Sequence, residues 1–306
     1  MEIITTQEKR RIAIEVKDMA SKTSQVAVSL EAKVSNATIS QIINNKHELV
    51  SSEMFMAVKA NLHLDFTWNN ANTANYLLIK QLLDYSKENS TSHAISEDAG
   101  RGKTNAYRRY KRQNQNVVLI ECQNFWTKKS YMKAILSACG LREYGTLQEM
   151  VYRFIKHLKS KHCPVVIIDQ FDKLKDPQMD LFMDFYNELD GYCGFILSGV
   201  RALERKIKNG VHREKIGYAE LYSRINRKFI RLDAITKDDV RKICHANDVV
   251  DIDVVNYIFD CCEGDLRRVK TDVEIQQKKH TTQLTKQMDV HFEVEKGNLK
   301  LEPELA

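Results

Sequence analysis

Proline is nearly missing from this chain, three residues in 306, and its eleven glycines are few for that length. Long disordered linkers therefore have little to be made from. No run of about 18 apolar residues occurs, which excludes a membrane-spanning helix. The N-terminus, MEIITTQEKRR, lacks the apolar core and cleavage site of a signal peptide, so none is expected. Seven cysteines (Cys122, Cys139, Cys163, Cys193, Cys244, Cys261, Cys262) are scattered, odd in number and form no C-x-x-C pair. Neither a disulfide framework nor a zinc site fits that distribution, and a reducing cytoplasm is the expected setting.

What is present points to a soluble protein with a packed core, 43% hydrophobic and 29% charged. The length suits one large domain with one or two small ones. Net charge is +6, but its placement says more than its total. Residues 101–161 hold fourteen Lys and Arg against three acids, a local balance of +11, whereas residues 1–70 carry eight of each sign and 162–190 is acidic. An excess of that size attracts polyanions; a set of solvated helix faces is the plainer alternative.

Three zones follow one another. From Gln7 to about Leu64 the pattern is helical and contains no glycine. A polar stretch, 67–74 (TWNNANTA), reads as a linker, and a helix over Tyr76–Tyr85 follows. From Ala94 the period changes: short apolar runs at 94–96, 117–121, 165–168, 194–197 and 229–232 read as buried parallel strands. Helical patterns lie between them at 104–112, 129–138, 147–161, 178–189 and 218–226. Such alternation predicts a parallel sheet covered on both faces. After Asp233 the strands stop, and 236–246, 254–261 and 265–277 read as three helices, with Thr236 as an N-cap. The expected domains are 1–66, 75–233, 234–280 and a polar tail over 281–306 holding a short strand at 290–294.

The segment Glu97-Asp98-Ala99-Gly100-Arg101-Gly102-Lys103-Thr104 lies between a strand and a helix, the setting a phosphate-binding loop requires. Backbone amides of Asp98, Ala99, Gly100, Arg101 and Gly102 would converge on an anion at the helix start. Lys103 would meet the outer phosphates of ATP as a point charge, and Thr104 would offer its hydroxyl to Mg2+. The pattern G-x-x-x-x-G-K-[ST] fails at its first position, where Glu97 stands for glycine; a simple tight turn needing Gly100 and Gly102 is the alternative. Downstream, Pro164-Val165-Val166-Ile167-Ile168-Asp169 forms a buried strand that carries a carboxylate to its C-terminal edge, where ligands of open α/β sheets bind. Asp169 would hold Mg2+ directly or through water; a strand-end turn is the plainer role. The next residue, where a glutamate commonly polarises water, is Gln170, and an amide is a poor general base. Asp172 is the nearest carboxylate to compensate.

At this point the sequence resembles the B protein of bacteriophage Mu and related transposon ATPases, AAA+ proteins that select target DNA for a transposase. The resemblance runs through the N-terminal helices, the phosphate loop, the aspartate strand, Gly194-Phe195-Ile196-Leu197-Ser198-Gly199-Val200, Glu220-Leu221-Tyr222-Ser223-Arg224-Ile225 and Gly264-Asp265-Leu266-Arg267. It implies a P-loop AAA+ parallel-sheet core with an N-terminal helix-turn-helix domain and a C-terminal helical lid. It further implies that Arg224 is an arginine finger reaching a neighbour's nucleotide, worth roughly 10³–10⁵ in rate, and that Arg267 is the lid's sensor arginine; a surface charge and a helix-start charge are the alternatives. The family's polar sensor falls at Val200, which cannot orient water, and Ser198 is expected to face the other way. Glu97, Gln170 and Val200 together imply ATP binding with slow turnover, the nucleotide acting as an assembly switch.

In 24–46, Val28, Ala32, Val34, Ile39 and Ile42 with small Ser29 match the packing of a helix-turn-helix whose turn is Lys33-Val34-Ser35. Its second helix would present Asn36, Thr38, Ser40 and Gln41 to base edges or phosphates, or serve protein contacts, given the module's neutral charge. In the core, Trp126, Lys128, Lys129 and Arg142 are candidates for contact with the DNA backbone, with core packing the alternative for Trp126. The expected partners are double-stranded DNA, a transposase and further copies of the chain in a ring or helical filament, with no membrane. A helicase-loader-like or remodelling ATPase and a nucleotide-sensing transcription regulator are the rival readings.

Overall fold

A computed structural model describes residues 4–279. They divide into two units, one comprising the N-terminal segment to Thr67 and Asn75–Asp233, the other Trp68–Ala74 and the chain from Ala234.

Four helices open the first unit: α1 (Thr6–Lys22), α2 (Gln25–Ala32), α3 (Asn36–Ile43) and α4 (Ser52–Asn61). Thr5, Ser24, Ser35 and Ser51 cap them, each accepting the backbone N–H three residues on. Such caps are worth about 1 kcal/mol each. The turn from α2 to α3 is Lys33-Val34-Ser35, and Lys33 takes a left-handed φ of 55°. Val28, Ala32, Ile39 and Ile42 are buried together with Ile12, Val16, Phe55 and Val58, a core of this module's own.

The sheet is wholly parallel. After α5 (Ala74–Asn89) come β1 (Ser92–Ser96), α6 (Lys103–Gln113), β2 (Val117–Glu121), α7 (Lys128–Ala138), α8 (Leu147–Lys159), β3 (Val165–Asp169), α9 (Asp176–Leu189), β4 (Gly194–Gly199), α10 (Ala202–His212), α11 (Tyr218–Arg224) and β5 (Phe229–Ile230). The spatial order is β2-β3-β4-β1-β5. Alternate residues of each strand enter different cores, as the two-residue repeat of a strand requires. Val118, Ile120, Val166, Ile168, Phe195 and Leu197 join the α7–α9 side. Val117, Val165, Ile167, Ile196 and Ile95 join Ile79, Leu83, Tyr107 and Tyr110 of α5 and α6. The sheet is therefore apolar on both faces, which is why its strands read as unbroken hydrophobic runs.

All five strands and all five helices expected within the α/β part are found, with ends displaced by a few residues. Helix α10 escaped the pattern. It holds Gly210, a helix-weakening residue, because a Cβ there would lie 2.1 Å from the Tyr218 ring.

Helix α6 also carries contacts to the four-helix module. Lys111 pairs with Glu31 at 2.7 Å. Arg112 donates to the carbonyls of Leu62 and His63 at 3.1 and 2.5 Å, and Lys22 donates to the Arg112 carbonyl at 2.7 Å.

The second unit contains α12 (Lys237–Ala246), α13 (Ile252–Cys262) and α14 (266–279). They pack Val240, Ile243, Ile258, Val269 and Val273, with Trp68 against them. Asn247 bonds Asn69 in both directions, at 2.8 and 2.9 Å, and Asp239 accepts the Ala74 N–H at 2.7 Å. The stretch read as a linker is thus fastened by side-chain amides and a carboxylate. The expected strand at 290–294 and tail 281–306 lie outside the described residues.

Gly194 opens β4 where a Cβ would stand 2.3 Å from the Ser86 carbonyl oxygen. Gly194→Ala is expected to cost about 1–3 kcal/mol, the usual cost of overpacking, read as a lowered midpoint in urea with unchanged slope.

Candidate functional site

The C-terminal ends of β1, β4 and β3 lie side by side. Ser96 is in register with Gly199, and Ile168 with Leu197, so the loop after β1 and the carboxylate ending β3 meet at one edge. Gly100 and Gly102 have φ of 80° and 84°, a region that side chains other than glycine's enter at a cost. They turn the chain sharply, and Gly102 sits at the start of α6.

Lys103 is buried, and its Nζ donates to the carbonyls of Glu97 at 2.6 Å and Asp98 at 2.8 Å. Burial pushes its pKa below the ordinary lysine value, against the pull of Asp169, Glu97, Asp172 and Asp98. A buried ammonium held only by its own loop's carbonyls favours an arriving anion. Next to it the Thr104 hydroxyl donates to Asp169 Oδ2 at 2.5 Å. Asp169 is buried, and burial raises its pKa although the Thr104 hydroxyl and the Gln170 N–H, which bond it, favour the ionised form.

This donor set fits a phosphate with a hard cation. It offers backbone amides at a helix start, a buried ammonium, and a hydroxyl paired with a carboxylate. Among the described residues no group of three or more His, Cys, Asp or Glu forms a metal cluster. A cation at Thr104 and Asp169 would therefore take most of its ligands from phosphate and water, the habit of magnesium.

Around this pair the less usual residues have defined positions. Gln170 has a left-handed φ of 57°, a conformation costing about 1–3 kcal/mol, and its amide oxygen accepts from Lys173. Asp172 is engaged elsewhere: its Oδ1 accepts the Val200 N–H at 3.3 Å and crowds Gly199, where a Cβ would lie 2.3 Å away. Val200 follows β4 and is 38% exposed. Ser198, expected to face away, has its buried hydroxyl beside Asp169. Ile168 is in register with Leu197, and parallel neighbours share a face of the sheet, which brings Ser198 next to Asp169.

Glu97 is buried, and two residues that the sequence did not single out complete its surroundings. Its carboxylate accepts the Asp98 N–H at 2.9 Å and the Arg201 Nε and Nη2 at 3.2 and 3.1 Å. Burial acts to raise its pKa, but these bonds outweigh it and hold the pKa below the ordinary glutamate value. Arg231 donates to the Ser96 carbonyl at 2.6 Å and pairs with Glu204. The available signal was an arginine one residue past Val200, at the strand end adjoining the loop.

Asp98, Ala99, Arg101 and Gln170 thus lie with Lys103, Thr104 and Asp169. Arg224 does not. At the end of α11 it bonds Asn187 at 3.1 Å and stands over the Tyr186 ring at 4.9 Å, while nearby Asn226 reaches the Ser92 carbonyl at the start of β1. That is the opposite edge of the sheet. Arg267 is exposed in the second unit, its N–H bonded to Asp265 Oδ1 at 2.8 Å.

On α3, Asn36 is exposed, while Thr38, Ser40 and Gln41 are half-buried. The Thr38 hydroxyl is 2.9 Å from that of Ser35. Lys128 and Lys129 begin α7, and Arg142 is exposed beyond that helix. Trp126 stacks on Tyr131 at 6.1 Å against the core, so packing is its role here. The exposed aromatic of that loop is Phe125, at 76%.

The fold is an α/β core built on a wholly parallel five-stranded sheet. Residues 89–207 match the family model described as an AAA domain, a stretch that includes the Glu97–Thr104 loop, Asp169 and Arg201. No curated protein matches the chain. Among solved structures it is similar to a DNA replication initiation factor, at 14% identity and TM-score 0.45, over 70% of this chain and 64% of that one. It is similar to NtrX from Brucella abortus at 15% and 0.44, over 75% and 57%. Similarity to a point mutant of Thermotoga maritima RuvB is 14% and 0.33, over 69% and 73%. The chain covers less than two thirds of the first two structures. Among the described residues no helix is long and apolar enough to cross a membrane.

Asp169→Asn is expected to remove the magnesium-dependent gain in affinity for a fluorescent nucleotide, about tenfold or more, while leaving metal-free binding. Titrations with and without magnesium check it.

Proposed function

We propose that this protein binds ATP with Mg2+ at the loop Asp98–Thr104 and uses the bound nucleotide to control its assembly on double-stranded DNA. The observation that carries the nucleotide reading is the pairing of buried Lys103, held by loop carbonyls, with the Thr104–Asp169 contact beside it. Lys103 neutralises the outer phosphates, Thr104 and Asp169 hold the cation, and the loop amides orient the phosphate chain.

Turnover is slow on this reading. Gln170 offers an amide, not a carboxylate, and its oxygen is taken by Lys173. Asp172 is committed to Val200 and Gly199, and Val200 brings no polar atom of its side chain. Nucleotide occupancy rather than hydrolysis then sets the state of the chain.

DNA contact is assigned to Lys128, Lys129 and Arg142 with Asn36, Thr38, Ser40 and Gln41. The +11 balance of 101–161 supports backbone contact with little sequence preference. Arg224 on the far edge of the sheet suits a finger that serves a neighbouring copy, so a ring or filament follows, and Arg267 would read the nucleotide from the lid. The resemblance to the transposon ATPases supports a target-selecting role that recruits a transposase in the cytoplasm.

With ATP and magnesium the parent is expected to form regular assemblies on arbitrary duplex, seen by electron microscopy, and Lys103→Ala is expected to form none. Equal assembly by the mutant would end the switch reading. Turnover in the presence of DNA is expected below about one per second, and Gln170→Glu is expected to raise it about tenfold or more, since a placed general base contributes about 10²–10⁴. Parent turnover of several per second would refute the slow-hydrolysis reading.

A further inference from the structure

The chain departs from the usual pattern twice at one place. The phosphate loop begins with Glu97 where glycine is usual, and β4 is followed by Val200 where a polar residue is usual. The structure joins the two departures through the next residue, Arg201. Its guanidinium is bonded to Glu97 Oε1 through Nε and Nη2 at 3.2 and 3.1 Å, and to Asp98 Oδ2 through Nη2 at 2.8 Å.

The two ends of this contact differ. The Glu97 side chain is 5% exposed and the Arg201 side chain 57%. Glu97 is fixed from two sides as well: its N–H donates to the Gly199 carbonyl at 3.3 Å and its carboxylate accepts the Asp98 N–H. The anchor is rigid and buried, while the cation stands at the open edge between the strand bearing the loop and the strand beside Asp169. Guanidinium has five N–H donors in a fixed fork. It can keep its bonds to Glu97 and still offer a donor to a second anion. Asp98, 45% exposed, holds that second place in the free chain.

Resting on the nucleotide reading above, we propose that Arg201 determines the preference for triphosphate over diphosphate. It gives up Asp98 for the outermost phosphate while Glu97 keeps it aimed. A diphosphate lacks that phosphate, and Arg201 stays on Asp98. Glutamate at the loop's first position then has a purpose, because glycine could not hold the cation. The polar atom missing from Val200 is supplied one residue later.

The test measures equilibrium affinities for fluorescent ATP and ADP in magnesium for the parent, Arg201→Ala, Arg201→Lys and Glu97→Gln. Arg201→Ala is expected to lower the ATP-over-ADP preference about tenfold, the scale of one charge-assisted hydrogen bond, with ADP affinity changed less than about twofold. Lysine lacks the planar fork, so Arg201→Lys is expected to recover little of the preference and to confirm that the fold survives. Glu97→Gln keeps an acceptor for the Asp98 N–H and is expected to lose part of the preference. An unchanged ratio in Arg201→Ala, a parallel fall in both affinities, or a parent without preference would each overturn the proposal while leaving nucleotide binding intact. A parent that binds neither nucleotide would overturn the nucleotide reading, and this proposal with it.

Discussion

A positive charge kept away from water organises this site. Lys103 extends under its own loop, and the Glu97 and Asp98 carbonyls that receive it fix the loop's curvature. Burying an ammonium with only neutral partners is costly, and the carboxylates of Asp169, Glu97, Asp172 and Asp98 offset part of that cost. Asp169 is buried in turn, so its hydroxyl partner Thr104 and the adjacent amide matter. Each charged group is thus stabilised by the others, and the sheet holds them in place. The parallel register sets the spacing: Glu121 is opposite Asp169 and Ser96 opposite Gly199.

The repetition of apolar strands and amphipathic helices was legible because both faces of the sheet are covered. Burial on both sides erases alternation and leaves runs such as Val165–Ile168, which few other structures produce. The turn after β1 was legible for a related reason: Gly100 and Gly102 are close in sequence and take positive φ just before α6. Helix α10 was not, since its Gly210 answers to a tyrosine in another helix.

The same distinction separates the parts of the site. Gln170 and Val200 could be flagged by position alone, but what they touch could not. Asp172 looked free to replace a missing base, and instead it braces the end of β4. Glu97 departs from the motif in sequence, and in the structure it holds Arg201, 104 residues away. A pair so distant in sequence leaves no periodic trace, and only the parallel pairing of β1 with β4 brings it together. Ser198 is placed beside Asp169 by the register of β3 with β4, a cross-strand relation that counting along one strand does not give.

Helix α6 begins at Lys103 and ends where Lys111 and Arg112 grip the four-helix module through Glu31, Leu62 and His63. Eleven residues at about 1.5 Å each make a rod of roughly 16 Å, without a proline or glycine to serve as a joint. Head and foot of such a rod cannot tilt separately. The loop and the four-helix module are thus spaced by a single unjointed helix, anchored at Glu31 and at the Leu62 and His63 carbonyls.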